Sequence, residues 1–158
     1  MHLTKQSDYG VRAVLHLSRL QYGEVVQTKE IAASEDIPRK YLPSIIRILA
    51  RAGLIRTLRG NHGGVMLARP PEDISLRDVV EAVEGPIALV TCMNGPNQCS
   101  REDDCILIPV YANLQEMMVG LLGSTTFADI ISGTYVNVMN RGGTLDDDGV
   151  RRHAPSLD

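Results

Sequence analysis

The sequence predicts a mainly α-helical chain with one small β hairpin, and three observations predict it. Apolar residues recur at helical spacing in four separate stretches. Two short strand-like runs flank a single glycine-rich segment, the pattern of a tight hairpin. Charge divides the chain: residues 1–70 carry eleven Lys or Arg against five Asp or Glu, a balance of +6, and residues 71–158 carry five against fourteen, a balance of −9. A basic N-terminal module joined to an acidic remainder is expected where only the first part meets phosphates.

At 158 residues the chain can bury one real core, so one domain plus an appendage is the natural organisation. With 44% hydrophobic and 22% charged residues it has the balance of a soluble globular protein. No apolar run approaches the roughly eighteen residues that would span a bilayer. The opening Met1-His2-Leu3-Thr4-Lys5 lacks the pattern of a secretory signal, so a reducing cytoplasm is expected, in which thiols stay reduced or bind metal.

The first helix is predicted over Thr4 to Leu20, on Val11, Val14, Leu17 and Leu20, and stops at the Tyr22-Gly23 turn. Thr28 is placed to cap a short second helix, Lys29 to Glu35, with Glu30 in the first turn, where a carboxylate meets the positive helix end. After Asp36-Ile37-Pro38 a third helix is expected over Pro38 to Ala52. Leu42, Ile45, Ile46 and Leu49 form its apolar stripe and Gly53 its stop. Pro43 is discordant inside it, because it removes a helical N–H and disfavours the α conformation at Leu42; regular helix can begin later.

Strand-like runs at Leu54 to Leu58 and Val65 to Ala68 enclose Arg59-Gly60-Asn61-His62-Gly63-Gly64, a tight basic hairpin. Helix, helix, helix, hairpin is the order of a winged helix-turn-helix. Ser75 then caps an amphipathic helix to about Glu84, broken by Gly85-Pro86. From Ile106 to Leu122, the residues Leu107, Val110, Tyr111, Leu114, Met117, Met118 and Leu121 make a continuous apolar stripe. No other predicted element covers it, so it reads as a long dimerisation helix, followed by a short helix at Phe127 to Ile131. Residues 141–158 hold few apolar side chains to offset the entropy of ordering and read as disordered. The domain plan is a DNA-binding module over residues 1–70, a helix, cysteine loop and dimerisation helix over 71–133, and a flexible tail over 134–158.

If the apolar face of the Pro38–Ala52 helix packs inward, Arg39, Lys40, Tyr41, Ser44, Arg47 and Arg51 lie on or around its exposed side, as in a recognition helix. Arg can pair with guanine O6 and N7, Lys supplies charge to phosphate, and Ser can meet a base edge or the backbone. Arg59 at the hairpin suits a narrow minor groove, where negative potential concentrates. One basic helix face alone would be read as solvated surface; its agreement with the wing, the charge division and the later apolar helix favours double-stranded DNA. Lys29 and Arg12 read as solvated helix charges.

All three cysteines fall within fourteen residues, Cys92-x6-Cys99-x5-Cys105, in a polar loop containing Gly95 and Pro96. Ordinary burial does not explain that gathering, and a disulfide would leave one thiol over and conflict with the expected cytoplasm. Three thiolates suit zinc or an iron–sulfur cluster, both of which take four ligands; the wide gaps favour the cluster. A fourth donor can come from Glu102, Asp103 or Asp104, or from Asp8 on the first helix of a partner subunit.

Met1-His2-Leu3-Thr4, Tyr41-Leu42, Gly53-Leu54, Arg59-Gly60-x-x-Gly63-Gly64 and the three cysteines before a long helix resemble the Rrf-two family of bacterial winged-helix regulators over roughly residues 1–133. The resemblance implies a homodimer, Cys92, Cys99 and Cys105 as cluster ligands, and Arg59 as a minor-groove contact. NsrR-like members place an aspartate ligand from the opposite subunit at the position of Asp8, whereas IscR-like members use a His where this chain has Ile108. That favours a four-iron cluster (4Fe-4S) over a two-iron one (2Fe-2S), and nitric oxide as the signal ahead of redox stress or iron and cluster status. The six-residue first cysteine gap departs from the five of both member types.

The function expected is a cluster-dependent DNA-binding transcription regulator, a repressor or an activator. A zinc-stabilised or small-molecule-sensing winged-helix regulator is one alternative. A ferredoxin-like electron carrier or cluster-transfer protein is another, and leaves the winged helix unexplained. An enzyme is not expected: His2, His16, His62 and His153 are scattered, and no base stands near a nucleophile or metal motif.

Overall fold

The computed structural model describes residues 3–60, 63–93, 95, 99, 100 and 104–135. The predicted tail beyond residue 135, His62 at the wing tip, and the candidate donors Glu102 and Asp103 lie outside the described residues.

Six helices and one hairpin follow in the order α1 (Lys5–Ser18), α2 (Thr28–Ser34), α3 (Leu42–Arg51), β1 (Ile55–Leu58), β2 (Gly64–Leu67), α4 (Leu76–Glu84), α5 (Ile108–Ser124) and α6 (Phe127–Ser132). Short 3-10 turns at Pro71–Asp73 and Thr91–Met93 were not foreseen from sequence. The fold is mainly helical with a two-stranded antiparallel wing, a winged helix-turn-helix.

Two predicted helix starts are corrected. Thr28 is the first residue of α2 rather than its cap; Gln27 caps through its backbone, its carbonyl accepting from Glu30 N–H at 2.9 Å. The third helix begins at Leu42, not Pro38. Pro43 thereby falls in the first turn, where its missing N–H leaves no hydrogen bond unmade. Residues 38–41 form the turn before it, in which Tyr41 N–H donates to the Pro38 carbonyl at 3.0 Å. The sharp entry from α2 is made at Asp36, whose φ of 51° is left-handed, a conformation Asp tolerates better than most side chains. Gly53 ends α3 at φ 70°, and Leu54 N–H reaches back to the Leu49 carbonyl at 3.0 Å, as in a Schellman ending.

The core gathers Val14 and Leu17 of α1, Ile31 of α2, Leu42, Ile45 and Leu49 of α3, and Ile55, Val65 and Leu67 of the wing. Ile74, Val79 of α4 and Phe127 of α6 join the same cluster, so the basic module is completed by residues beyond position 70. Gly10 lets α1 and α4 approach closely: a Cβ there would stand 3.3 Å from Val83 Cγ2. Two capping boxes, Ser75 with Asp78 and Thr126 with Asp129, sit back to back. Leu76 N–H donates to the Thr125 carbonyl and Phe127 N–H to that of Ile74, at 2.9 and 3.0 Å, which pins α6 to the start of α4.

α5 differs from every other long helix in burying none of its residues within the chain. Among the described residues no helix is long and apolar enough to cross a membrane.

Candidate nucleic-acid interface and cysteine loop

Because α3 turns Leu42, Ile45, Ile46 and Leu49 inward, Arg47 and Arg51 are left exposed on its outer side, with Ser44 half-buried beside them. The Ser44 hydroxyl donates to the Tyr41 carbonyl at 2.7 Å, which keeps its lone pairs for an incoming donor. Arg39 and Lys40 occupy the turn before the helix and are exposed. Tyr41 lies with its ring centroid 5.9 Å from that of Tyr9 on α1, and Lys40 Nζ stands 4.9 Å from the Tyr41 centroid.

Elsewhere the guanidinium groups are neutralised locally: Arg12 by Asp8 at 3.0 Å, Arg19 by Glu35 at 3.5 Å, Arg77 by Glu81 at 3.0 Å and Arg69 by Asp78 at 3.8 Å. Among the described residues Arg39, Lys40, Arg47, Arg51 and Arg59 make no ion pair. Positive charge is therefore left uncompensated at the entry to α3, along α3 and on the wing, where phosphate can neutralise it. Arg56, exposed on β1 and equally unpaired among the described residues, adds to this set and was missed in sequence. Its only signal was strand alternation, which sets it on the face opposite the buried Ile55.

The wing is built close to its neighbours. At Gly63 a side chain would collide with the Leu58 carbonyl, and at Gly64 with the Val26 carbonyl. Val26 and Val65 exchange N–H···O bonds at 2.9 and 2.8 Å, so the segment before α2 adds a single bridge to the hairpin. Gly60 turns the chain at φ 112° beside the exposed Arg59.

Cys92 lies half-buried in the Thr91–Met93 turn, Cys99 is exposed, and Cys105 is half-buried just before α5. All three thiols are free. Among the described residues no three His, Cys, Asp or Glu side chains gather closely enough to hold a metal ion, so one chain does not bring the three cysteines together with Asp8 or Asp104. Asp8 lies in the first turn of α1 with its side chain 49% exposed. Of the predicted interface stripe, Leu107, Val110, Leu114 and Met117 are exposed, whereas Tyr111, Met118 and Leu121 are half-buried. Ile106, just before α5, is 88% exposed.

Residues 3–133 match the family model Rrf2, described as an iron-dependent transcriptional regulator. The chain is 36% identical over 131 residues to protein rrf2 of Nitratidesulfovibrio vulgaris (strain Hildenborough), covering 83% of this chain and 87% of the relative. It is 33% identical over 132 residues to the HTH-type transcriptional regulator NsrR of Bacillus licheniformis, covering 83% and 92%. Among solved structures, T. potens IscR matches with a TM-score of 0.68 at 27% identity, over 90% of this chain and 94% of that one.

Proposed function

The chain belongs to the Rrf2 (Rrf-two) family of DNA-binding transcriptional regulators, and on that premise we propose that it acts as a homodimer whose hold on its operator is set by an iron–sulfur cluster. The reading places Arg39, Lys40, Tyr41, Ser44, Arg47 and Arg51 against the major groove and Arg59 in the minor groove. A family of regulators also leaves no place for an enzyme.

The observation that carries the cluster is the donor set: three free thiols, every cysteine of the chain, lie in one loop between α4 and α5. Their chemistry fits an iron–sulfur centre one ligand short, and Asp8 of the partner subunit would complete it. Iron held there would supply a centre that reacts with nitric oxide and oxidants. In this chain Cys105 would carry the effect outward, since its carbonyl accepts from Ile108 N–H at 3.3 Å in the first turn of α5. A four-iron cluster and nitric oxide are the favoured centre and signal, with redox stress or iron status next. A cluster shifts DNA affinity only through unequal interaction with the two conformations of the dimer.

The dimer is supported by α5. A seventeen-residue helix that fully buries none of its residues in its own chain, with Leu107 before it and Val110, Leu114 and Met117 along it exposed, has apolar surface that a second copy can cover. Purification without air, with iron and sulfide assays on the wild-type chain and on Cys92→Ser, Cys99→Ser and Cys105→Ser, tests the centre. The expected result is iron and sulfide together in the wild type and loss of both in each variant. Zinc in place of iron, or no metal after reconstitution, overturns it.

A further inference from the structure

A groove of about 350 Å³ opens between α2, α3 and the wing. Ile46 and Val65, both buried, form its floor. Thr28 and Lys29 line one side; Thr57 and the bare backbone of Gly63 and Gly64 line the other. Thr57 shares the strand face of Ile55, but lies one step past the core edge, so its side chain opens into the groove instead of the interior. Among the described residues neither threonine hydroxyl is engaged by a side-chain hydrogen bond, and Lys29 has no carboxylate partner. Glu30, its acidic neighbour, does not line the groove. Gln27 completes the first side, so two hydroxyls, an ammonium and a carboxamide line one channel, with no carboxylate among them.

The sugar–phosphate strand is what separates the major groove of a duplex from the minor. A protein that sets a helix in one and a hairpin in the other must straddle a strand of that backbone. Here the space between α3 and the wing is this channel, lined on the wing side by Thr57, Gly63 and Gly64. We propose that the groove seats one sugar–phosphate strand, with Lys29 pairing a phosphate and the Thr28 and Thr57 hydroxyls donating to its oxygens. The proposal rests on the DNA-binding reading above and assigns Lys29 a role that a solvated helix charge would not have.

Binding of the full chain is measured by fluorescence anisotropy across a salt series. The probes are a duplex selected from a random library by the wild-type chain and a scrambled duplex of the same composition. Removing one phosphate contact lowers the slope of log affinity against log salt by about 0.9, a loss of roughly five-fold at 0.15 M salt. Lys29→Ala is expected to show that change equally on both duplexes, with the ratio between them kept, and Lys29→Arg to restore it. Thr57→Val is expected to weaken both duplexes to the same extent with the slope unchanged. A wild-type slope in Lys29→Ala, or a loss confined to the selected duplex, overturns the proposal. A wild-type chain that binds neither duplex overturns the DNA reading itself and the groove with it.

Discussion

The ring of Tyr9 on α1 lies against that of Tyr41 at the entry to α3, their centroids 5.9 Å apart and their planes inclined by 34°. That separation lies within the range of roughly 4.5–7 Å over which aromatic pairs attract. Tyr41 is 44% exposed and carries Lys40 on its other contact, with Nζ 4.9 Å from the centroid. One α1 side chain therefore packs on the turn that carries Lys40 and Tyr41 to the side proposed to face DNA.

Tyr9→Ala is accordingly expected to cost about 1 kcal/mol of folding stability from the aromatic pair. It should also narrow the affinity gap between the selected and scrambled duplexes, because Tyr41 and Lys40 lose their support. Tyr9→Phe keeps the ring and should retain both. Urea unfolding and anisotropy on the two duplexes check this; full discrimination in Tyr9→Ala would refute the positioning role.

Arg47 and Arg51 have no ion pair to lose among the described residues, so alanine at either should leave the unfolding midpoint nearly unchanged. If either pairs with a guanine edge, its loss costs about 1–3 kcal/mol on the selected duplex and less on the scrambled one. Equal losses on both would reassign that residue to phosphate.

Leu114 is exposed midway along α5, and a carboxylate there would be buried unpaired in a dimer. Leu114→Asp is expected to sediment as a folded monomer with weakened DNA binding. A variant that remains dimeric would move the interface away from this face.

Hydrogen bonds from the Thr126 hydroxyl, at 2.7 Å, and the Thr126 N–H, at 3.0 Å, hold the Asp129 carboxyl below its usual pKa. A depressed folded value means that this contribution is complete above the unfolded carboxyl range, near pH 4. It is then lost as pH falls through the lower folded value. The stability gap between wild type and Thr126→Val should therefore be widest at neutral pH and shrink as pH falls below about 4. Urea midpoints across that range read it; a gap independent of pH would show that the carboxylate form is not favoured there.

Much of this architecture is legible in the residues because local rules and tertiary packing agree. The Leu42, Ile45, Ile46 and Leu49 stripe, the Gly53 stop and the Ser75 cap each need only a few neighbouring positions, and the structure has all three. Pro43 was legible as a conflict, and starting the helix at Leu42 resolves it. Thr28 misled because a hydroxyl before a helix is a common cap, whereas here the bridge between Val26 and Val65 sets the chain so that Gln27 occupies the cap position. The groove at Lys29 and Thr57 was invisible, since it joins residues from three elements that only the fold brings together. Cysteine spacing points to a loop of donors but not to their convergence, which one chain does not display among its described residues.

The most direct test of the central claim compares DNA affinity of one anaerobic preparation before and after its metal centre is removed by a chelator or exposed to nitric oxide. The account predicts a change of at least about ten-fold, within the range of coupling between two sites, with Cys99→Ser held at the cluster-free value throughout. Equal affinity in all three states, with iron and sulfide demonstrably bound at the start, would contradict it.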